Sequence, residues 1–466
     1  MIRVNRLPLA GLMLLACGGN AWAAAECRLQ RGFAGVEGVG ALTSGSLWKF
    51  DDPAFRNNAI ANLYLTSVAR CTLGDTLSVK GQASGAYTQQ ARTPGVLEDK
   101  RQQGVAILNE LVASLTLRDN LYLDLGKLRH TSGYLFSRSP LDVLRNVSGG
   151  LRTARVYATG DSWRGLYDEG SYGAGGTLYR KEGTYTLAVL PRLKRFPLQR
   201  EAASEWDALL RTNGSERYYA SYTSTGLNKF NPTISLLAGQ QKTLALGTSG
   251  NLSDSLIFSI EGSLSHGETW RHLDSRYARG MREDLIYREE AYRINGKGVE
   301  GEIGVGLRYT TAEQTEFGVE YYGQSQGYSR SEWRNNTDTI KFVNGGYVNM
   351  LDPFWLPVVR DSFQQYSRLM AAENTNVSRS GNLFGKHYLT LYTRTNKERV
   401  GEIDWSVSSM ANLIDYSTVL NVHLRAPMKN NIELYAGALA SFGRRDSEFG
   451  IFGEKGNLYA GMRISW

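Results

Sequence analysis

Apolar and polar residues alternate singly along most of this chain, and no run of about 18 apolar residues interrupts the pattern. Single alternation means extended strands whose two faces meet different surroundings. In "TLSVKGQASGAYT", Leu77, Val79, Ala83 and Tyr87 share one face, and Ser78, Lys80, Gln82 and Ser84 the other. "ELVASLTLRDNLYLDLGK" holds two such strands joined at Asp119-Asn120, a good turn pair. "GEIGVGLRYTTAEQTEFGVEYYG" and "NIELYAGALASF" repeat the pattern.

A soluble sandwich would also alternate. Two features favour a transmembrane antiparallel β-barrel, an all-β fold. Charges recur on the polar face strand after strand: Lys80, Glu110, Asp124, Glu261, Glu302, Arg308, Glu320, Glu433 and Arg463. The connections also alternate between short and long, as in outer-membrane barrels. The short ones fall near 74–75, 119–120, 181–183, 252–254, 310–315 and 427–431. The long ones fall near 43–58, 130–163, 192–216, 267–298, 325–382 and 443–456. Counted this way there are 18 strands, from 29–42 to 457–466, with 16 as the alternative. An even number places both termini on the periplasmic side.

The composition agrees. Mean hydropathy is −0.34, which hides apolar residues dispersed by alternation, and 51 Gly and 26 Tyr accompany only 10 Pro. Residues 1–23 read as a secretory signal. Arg3 and Arg6 precede the apolar run Leu7 to Cys17, and Ala21-Trp22-Ala23 precedes Ala24. A lipoprotein site at Cys17 is the rival reading. The remainder, 24–466, is expected to be one barrel with no separate soluble domain. Removing Arg3 and Arg6 leaves 51 basic against 45 acidic residues, a net +6 without a compact basic block. That gives no support to nucleic-acid binding.

Cys27 and Cys71 remain after cleavage, in an oxidising compartment. Their midpoint lies inside the polar stretch 43–58, so a hairpin there would set them opposite each other. A disulfide is the favoured reading and two free thiols the alternative.

Catalytic and metal motifs are missing from the sequence. The five histidines His130, His266, His272, His387 and His423 form no zinc spacing, and there is no Gly-x-Ser-x-Gly, His-Glu-x-x-His or phosphate loop. No cofactor and no metal is expected, and the chain is read as a non-enzyme. A hydrolase built around His266, His272 or His423 is the distant alternative.

The densest signal outside the strands is "GKLRHTSGYLFSRSPLDVLRNVSGGLRTARVY". Arg138, Arg145, Arg152 and Arg155 lie there with Tyr134 and a single acid, Asp142. Such a loop either folds into the lumen, where it would favour anionic solutes, or faces outward onto lipopolysaccharide phosphates. Glu302, Arg308, Glu320 and Arg463 are the strand residues expected to line the lumen beside it. Glycines 304, 306 and 318 on the lumen face would leave open space or let a side chain lie flat. Two long loops show helical spacing: 203–214, and 361–374 with Phe363, Tyr366, Leu369 and Met370.

The chain ends on "LYAGMRISW", with Leu458, Ala460, Met462, Ile464 and Trp466 at alternate places. This resembles the C-terminal signature of bacterial outer-membrane barrels. The resemblance implies that the barrel-assembly machinery reads Trp466, Ile464 and Met462. "DLGKLRHTSGYLFSRSPLDVLRN" and "NNIELYAGALASFGRRDSEFG" are similar to large porin-like barrels akin to alginate-exporter-type channels. The similarity implies a channel in the outer membrane, in contact with its lipids and lipopolysaccharide. The expected cargo is a polar solute or an extended polymer, with selectivity from the basic loop. The competing expectation is a binding or structural barrel plugged by loop 325–382.

Overall fold

The computed structural model describes residues 25–43, 47–48, 58–91, 101–144, 169–194, 208–227, 229–285, 291–294, 297–379, 382–395, 397 and 399–466. Residues 1–23, read above as a secretory signal, lie outside them, Cys17 included, as do Arg145, Arg152 and Arg155.

Eighteen strands form one closed antiparallel barrel. They are β1 (Ala25–Thr43), β2 (Asn58–Leu73), β3 (Leu77–Gln90), β4 (Gln102–Arg118), β5 (Leu121–Leu128) and β6 (Ser171–Arg180). Next come β7 (Gly183–Leu190), β8 (Arg217–Ser224), β9 (Thr233–Gly239), β10 (Lys242–Asn251), β11 (Leu256–His266) and β12 (Val299–Thr310). The last six are β13 (Thr315–Gln324), β14 (His387–Thr395), β15 (Asp404–Asn412), β16 (Thr418–Pro427), β17 (Ile432–Phe442) and β18 (Glu454–Ser465). Each pairs with the next, and β18 returns to β1 in a register from Phe33↔Ser465 to Thr43↔Glu454. Closure removes the open edges that no bilayer could satisfy. It selects 18 strands over 16.

The alternation sorts the two faces. Leu63, Leu125, Leu187, Ile303, Leu434 and Leu458 stand exposed on the outer wall, where a bilayer would cover them. Two aromatic pairs stand on the outer wall toward the short-turn end, Tyr185 with Tyr222 and Phe230 with Phe258. No helix among the described residues is long and apolar enough to cross a membrane.

Trp466 lies on the outer wall over Gly32, where a Cβ would collide with its indole. Its backbone exchanges two hydrogen bonds with Gly32, at 3.0 and 3.1 Å. The terminal residue thus completes the seam. Below Gly32, β1 continues against β2 alone. There Cys27 stands directly opposite Cys71, and the two are joined by a disulfide.

The opposite end carries the long loops, and part of them forms a small helical cap. Helix α1 (Ala208–Asn213) falls within the helical spacing at 203–214, whose first part, 203–207, lies outside the described residues. Helices α2 (Ser275–Glu283), α3 (Arg330–Val343) and α4 (Leu356–Arg379) share one core. Met281, Trp333, Phe363, Tyr366 and Met370 are buried together in it, with Trp48 and Ile451 from two other loops. Helix α3 begins with a full capping box, Ser329 with Glu332.

Candidate functional site: a loop folded into the barrel

The segment 130–144 leaves the end of β5 and turns inward across the lumen. Two wall carboxylates hold it. Glu261, on β11, accepts from the backbone nitrogens of Tyr134, Leu135 (3.2 Å) and Leu141 (3.2 Å) and from the Ser139 hydroxyl. Glu320, on β13, accepts from the nitrogens of Phe136 (2.6 Å) and Ser137 (2.8 Å) and from the Ser137 hydroxyl (2.6 Å). Both glutamates are buried, at 1% and 4% exposure. An ionised carboxylate only accepts, and it meets a run of backbone donors that the irregular loop cannot pair with itself.

The wall is cut to receive the loop. Gly304 faces Glu261 across β11 and β12, and Gly247 faces it across β10 and β11. A Cβ at Gly304 would collide with Leu135, and one at Gly247 would press on Leu141 at 3.2 Å. Gly304 and Gly306 therefore hold loop side chains and not open space, while Tyr392 lies flat over Gly318. Phe136 stacks on Tyr392 at 4.4 Å between ring centres. The Tyr134 hydroxyl meets Thr233 at 2.8 Å and donates to the Asn231 carbonyl at 2.7 Å. Leu141 and Leu144 are buried, Leu144 among Leu190, Tyr219 and Leu237 of the wall.

The loop's charges are engaged locally. Arg138 reaches Glu302 on β12 at 3.7 Å and lies over the Tyr322 ring. Asp142 accepts from the Ser132 nitrogen at 3.3 Å, tying the loop to itself. The described part, 130–144, thus carries one Arg and one Asp with no excess of positive charge.

The other cations stand on the wall. A cavity of about 160 Å³ beside the base of the loop is lined by Arg70, Lys80, Arg129 and His130, with Glu110 and Asp124. Arg70 and Lys80 are direct cross-strand neighbours. Lys80 pairs with Glu110 at 2.8 Å, Ser114 donates to Asp124 at 2.5 Å, and Arg129 donates to Gln82 at 3.3 Å. Burial pushes the His130 imidazole below its ordinary value, so it adds no charge at neutral pH. Toward the short turns, Glu316 joins Arg394 (3.1 Å) and Arg308 (4.0 Å). There too, Arg463 meets Glu433 at 2.9 Å and Arg425 meets Asp404 at 3.0 Å.

His272 lies 3.2 Å from Glu268, and its other nitrogen meets the Gln326 carbonyl at 2.5 Å. His423 meets the Tyr459 hydroxyl at 3.0 Å. Among the described residues no cluster could hold a metal ion.

No family model and no curated protein matches the chain. Among solved structures it is similar to OccAB1 of Acinetobacter baumannii, with 8% identity, a TM-score of 0.51, and 95% of this chain and 96% of that one covered. The fold is that of a porin-like barrel. OccK7 (OpdD) of Pseudomonas aeruginosa gives 9% identity and a TM-score of 0.48 over 95% and 99% of the two chains. The outer membrane protein OprD of the same organism gives 8% and 0.48 over 94% and 93%. At these identities the likeness speaks for the fold alone.

Of the ten constriction candidates in the sequence, Tyr134, Arg138, Asp142, Glu302 and Glu320 lie in or beside the inward loop, Arg308 and Arg463 stand apart from it with Glu316 and Glu433, and Arg145, Arg152 and Arg155 lie outside the described residues. Sequence reading missed Glu261, which looks like any other lumen carboxylate. The signal that could have found it is its glycine neighbour on each side, visible only once the strand register is known.

Proposed function

We propose that the protein is an outer-membrane channel through which small polar solutes diffuse, narrowed by the inward loop 130–144. The observation that carries this reading is the capture of that loop by Glu261 and Glu320 inside a closed barrel. A loop that leaves β5 and is fixed to β11 and β13 reduces the passage without moving parts, and the polar groups left on the wall choose what passes. Selectivity is assigned to the polar wall around Arg70, where Lys80 is paired with Glu110, together with the loop, where Arg138 is paired with Glu302. A loop held this firmly favours small solutes over an extended polymer.

In this reading residues 1–23 direct export, the termini are periplasmic and the long loops extracellular. The barrel-assembly machinery reads Trp466, lipids and lipopolysaccharide surround the wall, and no cofactor or catalysis is involved. Purified protein in planar bilayers should give discrete conductance steps, and a silent bilayer would overturn the reading.

The second reading, a plugged binding barrel, draws on the helical cap from loops 267–298 and 325–382. Under it the intact protein is silent, and deleting 330–379 opens a conductance.

A further inference from the structure

We propose that Glu261 and Glu320 are an acid-released catch for the 130–144 segment. The segment crosses the lumen, yet most of its bonds to the wall end on these two carboxylates. Glu261 takes four donors and Glu320 three. Five of those seven groups are main-chain nitrogens, which can only donate; the Ser137 and Ser139 hydroxyls could also accept. Protonating a carboxyl takes an acceptor oxygen away from the nitrogens and removes the charge that strengthened the remaining bonds.

The surroundings leave little else to compensate. The residues opposite Glu261 are Gly247 and Gly304, and those opposite Glu320 are Gly306 and Thr390; none of them titrates. On the loop, Arg138 is engaged by Glu302, and Asp142 turns back to Ser132. The Tyr134 hydroxyl is bonded to Thr233. Below Glu320, Arg308 and Arg394 are engaged by Glu316. Above it, Tyr322 lies under Arg138, and Tyr388 bonds Glu448 at 2.6 Å. Tyr392 beside it stacks on Phe136. Among the described residues, neither catch carboxylate has an ion-pair partner. The catch therefore depends on ionised carboxyls meeting neutral donors, and it is held at neutral pH and let go in acid. What remains, the Phe136 stack, the Tyr134–Thr233 and Arg138–Glu302 contacts and the packing of Leu135, Leu141 and Leu144, keeps the side chains in place while the main-chain nitrogens lose their acceptors.

The test is amide hydrogen exchange on the purified full-length protein at about pH 7 and about pH 4, corrected for the intrinsic pH dependence. Amides of Tyr134, Leu135, Phe136, Ser137 and Leu141 should lose protection in acid by at least about ten-fold, the loss of one charge-assisted bond, while strand amides of β11 to β13 keep theirs. The double variant Glu261→Gln, Glu320→Gln should show the low protection at both pH values. Equal protection of the wild-type loop at both pH values overturns the catch, as does a double variant that keeps the wild-type pH response. Should the variant fail to assemble, the wild-type comparison decides alone. In bilayers, acid should enlarge the conductance step. That arm rests on the channel reading: acid-dependent exchange with a silent bilayer would leave the catch standing and remove the channel.

Discussion

The hydroxyls of Tyr64 and Tyr435 meet at 2.9 Å across the seam where β18 closes on β1. Tyr64 belongs to β2 and Tyr435 to β17, so this bond bridges both closing strands on the lumen face. Tyr64 lies against Gly35 and Tyr435 against Gly461, positions where a Cβ would collide with the rings. Tyr64→Phe keeps the ring and loses the bond. It should lower the urea midpoint of the folded barrel by about 0.5–1.5 kcal/mol of stability, with the conductance step unchanged. Gly35→Val, which displaces the ring itself, should cost more.

On the outer face the same seam ends at Trp466. Deleting Trp466, or shifting it by a one-residue extension, removes the indole over Gly32 and the paired backbone bonds. Heat-modifiable, membrane-inserted protein should fall sharply in yield, while the molecules that do assemble conduct normally. Normal yields would remove the terminal-signal reading.

The disulfide lies beyond the point where β18 ends. Cys27→Ser with Cys71→Ser should destabilise the β1 end by about 2–4 kcal/mol, the usual range for such a cross-link, and leave conductance alone. Alkylation of the wild-type protein should shift its mass only after reduction.

Much of this fold was legible because lipid and water impose opposite demands on alternate residues. The first and last strands, expected at 29–42 and 457–466, run Ala25–Thr43 and Glu454–Ser465, within about four residues of where alternation puts them. Where partners are backbone atoms, sequence says little. Nothing in "TSGYLFSRSP" distinguishes a loop that turns inward from one that faces out, because its decisive groups are main-chain nitrogens. The α4 helix announced itself through Phe363, Tyr366 and Met370, all buried. The α3 helix carried Ser329 and Glu332 at capping spacing, but its polar surface concealed the period.

Gly304 gives a steric test of the loop's seat. Gly304→Leu should push Leu135 off the wall and enlarge the conductance step, whereas Gly38→Ala, with nothing within 4 Å of the added carbon, should change neither yield nor conductance. Unchanged conductance in Gly304→Leu would mean that the loop does not narrow the path.

The cap should respond to acid at a second place. Asp446 accepts from Lys341 of α3 at 2.8 Å, and Arg444 lies 3.2 Å away. Partial burial pushes its carboxyl up, and the two cations outweigh that, holding it below the ordinary aspartate value. A depressed carboxyl contributes stability above its unfolded value of about 3.9 and loses it as pH falls further. Exchange protection of α3 should therefore hold at about pH 5 and decline below about pH 4, and Asp446→Asn should lower it at pH 7.

The most direct test of the central claim compares single-channel conductance of the wild-type protein with a variant whose residues 132–141 are replaced by a short Gly-Ser linker. Discrete wild-type steps that grow when the loop is removed would support a barrel narrowed by this segment. Equal steps, or silence from both proteins, would contradict it.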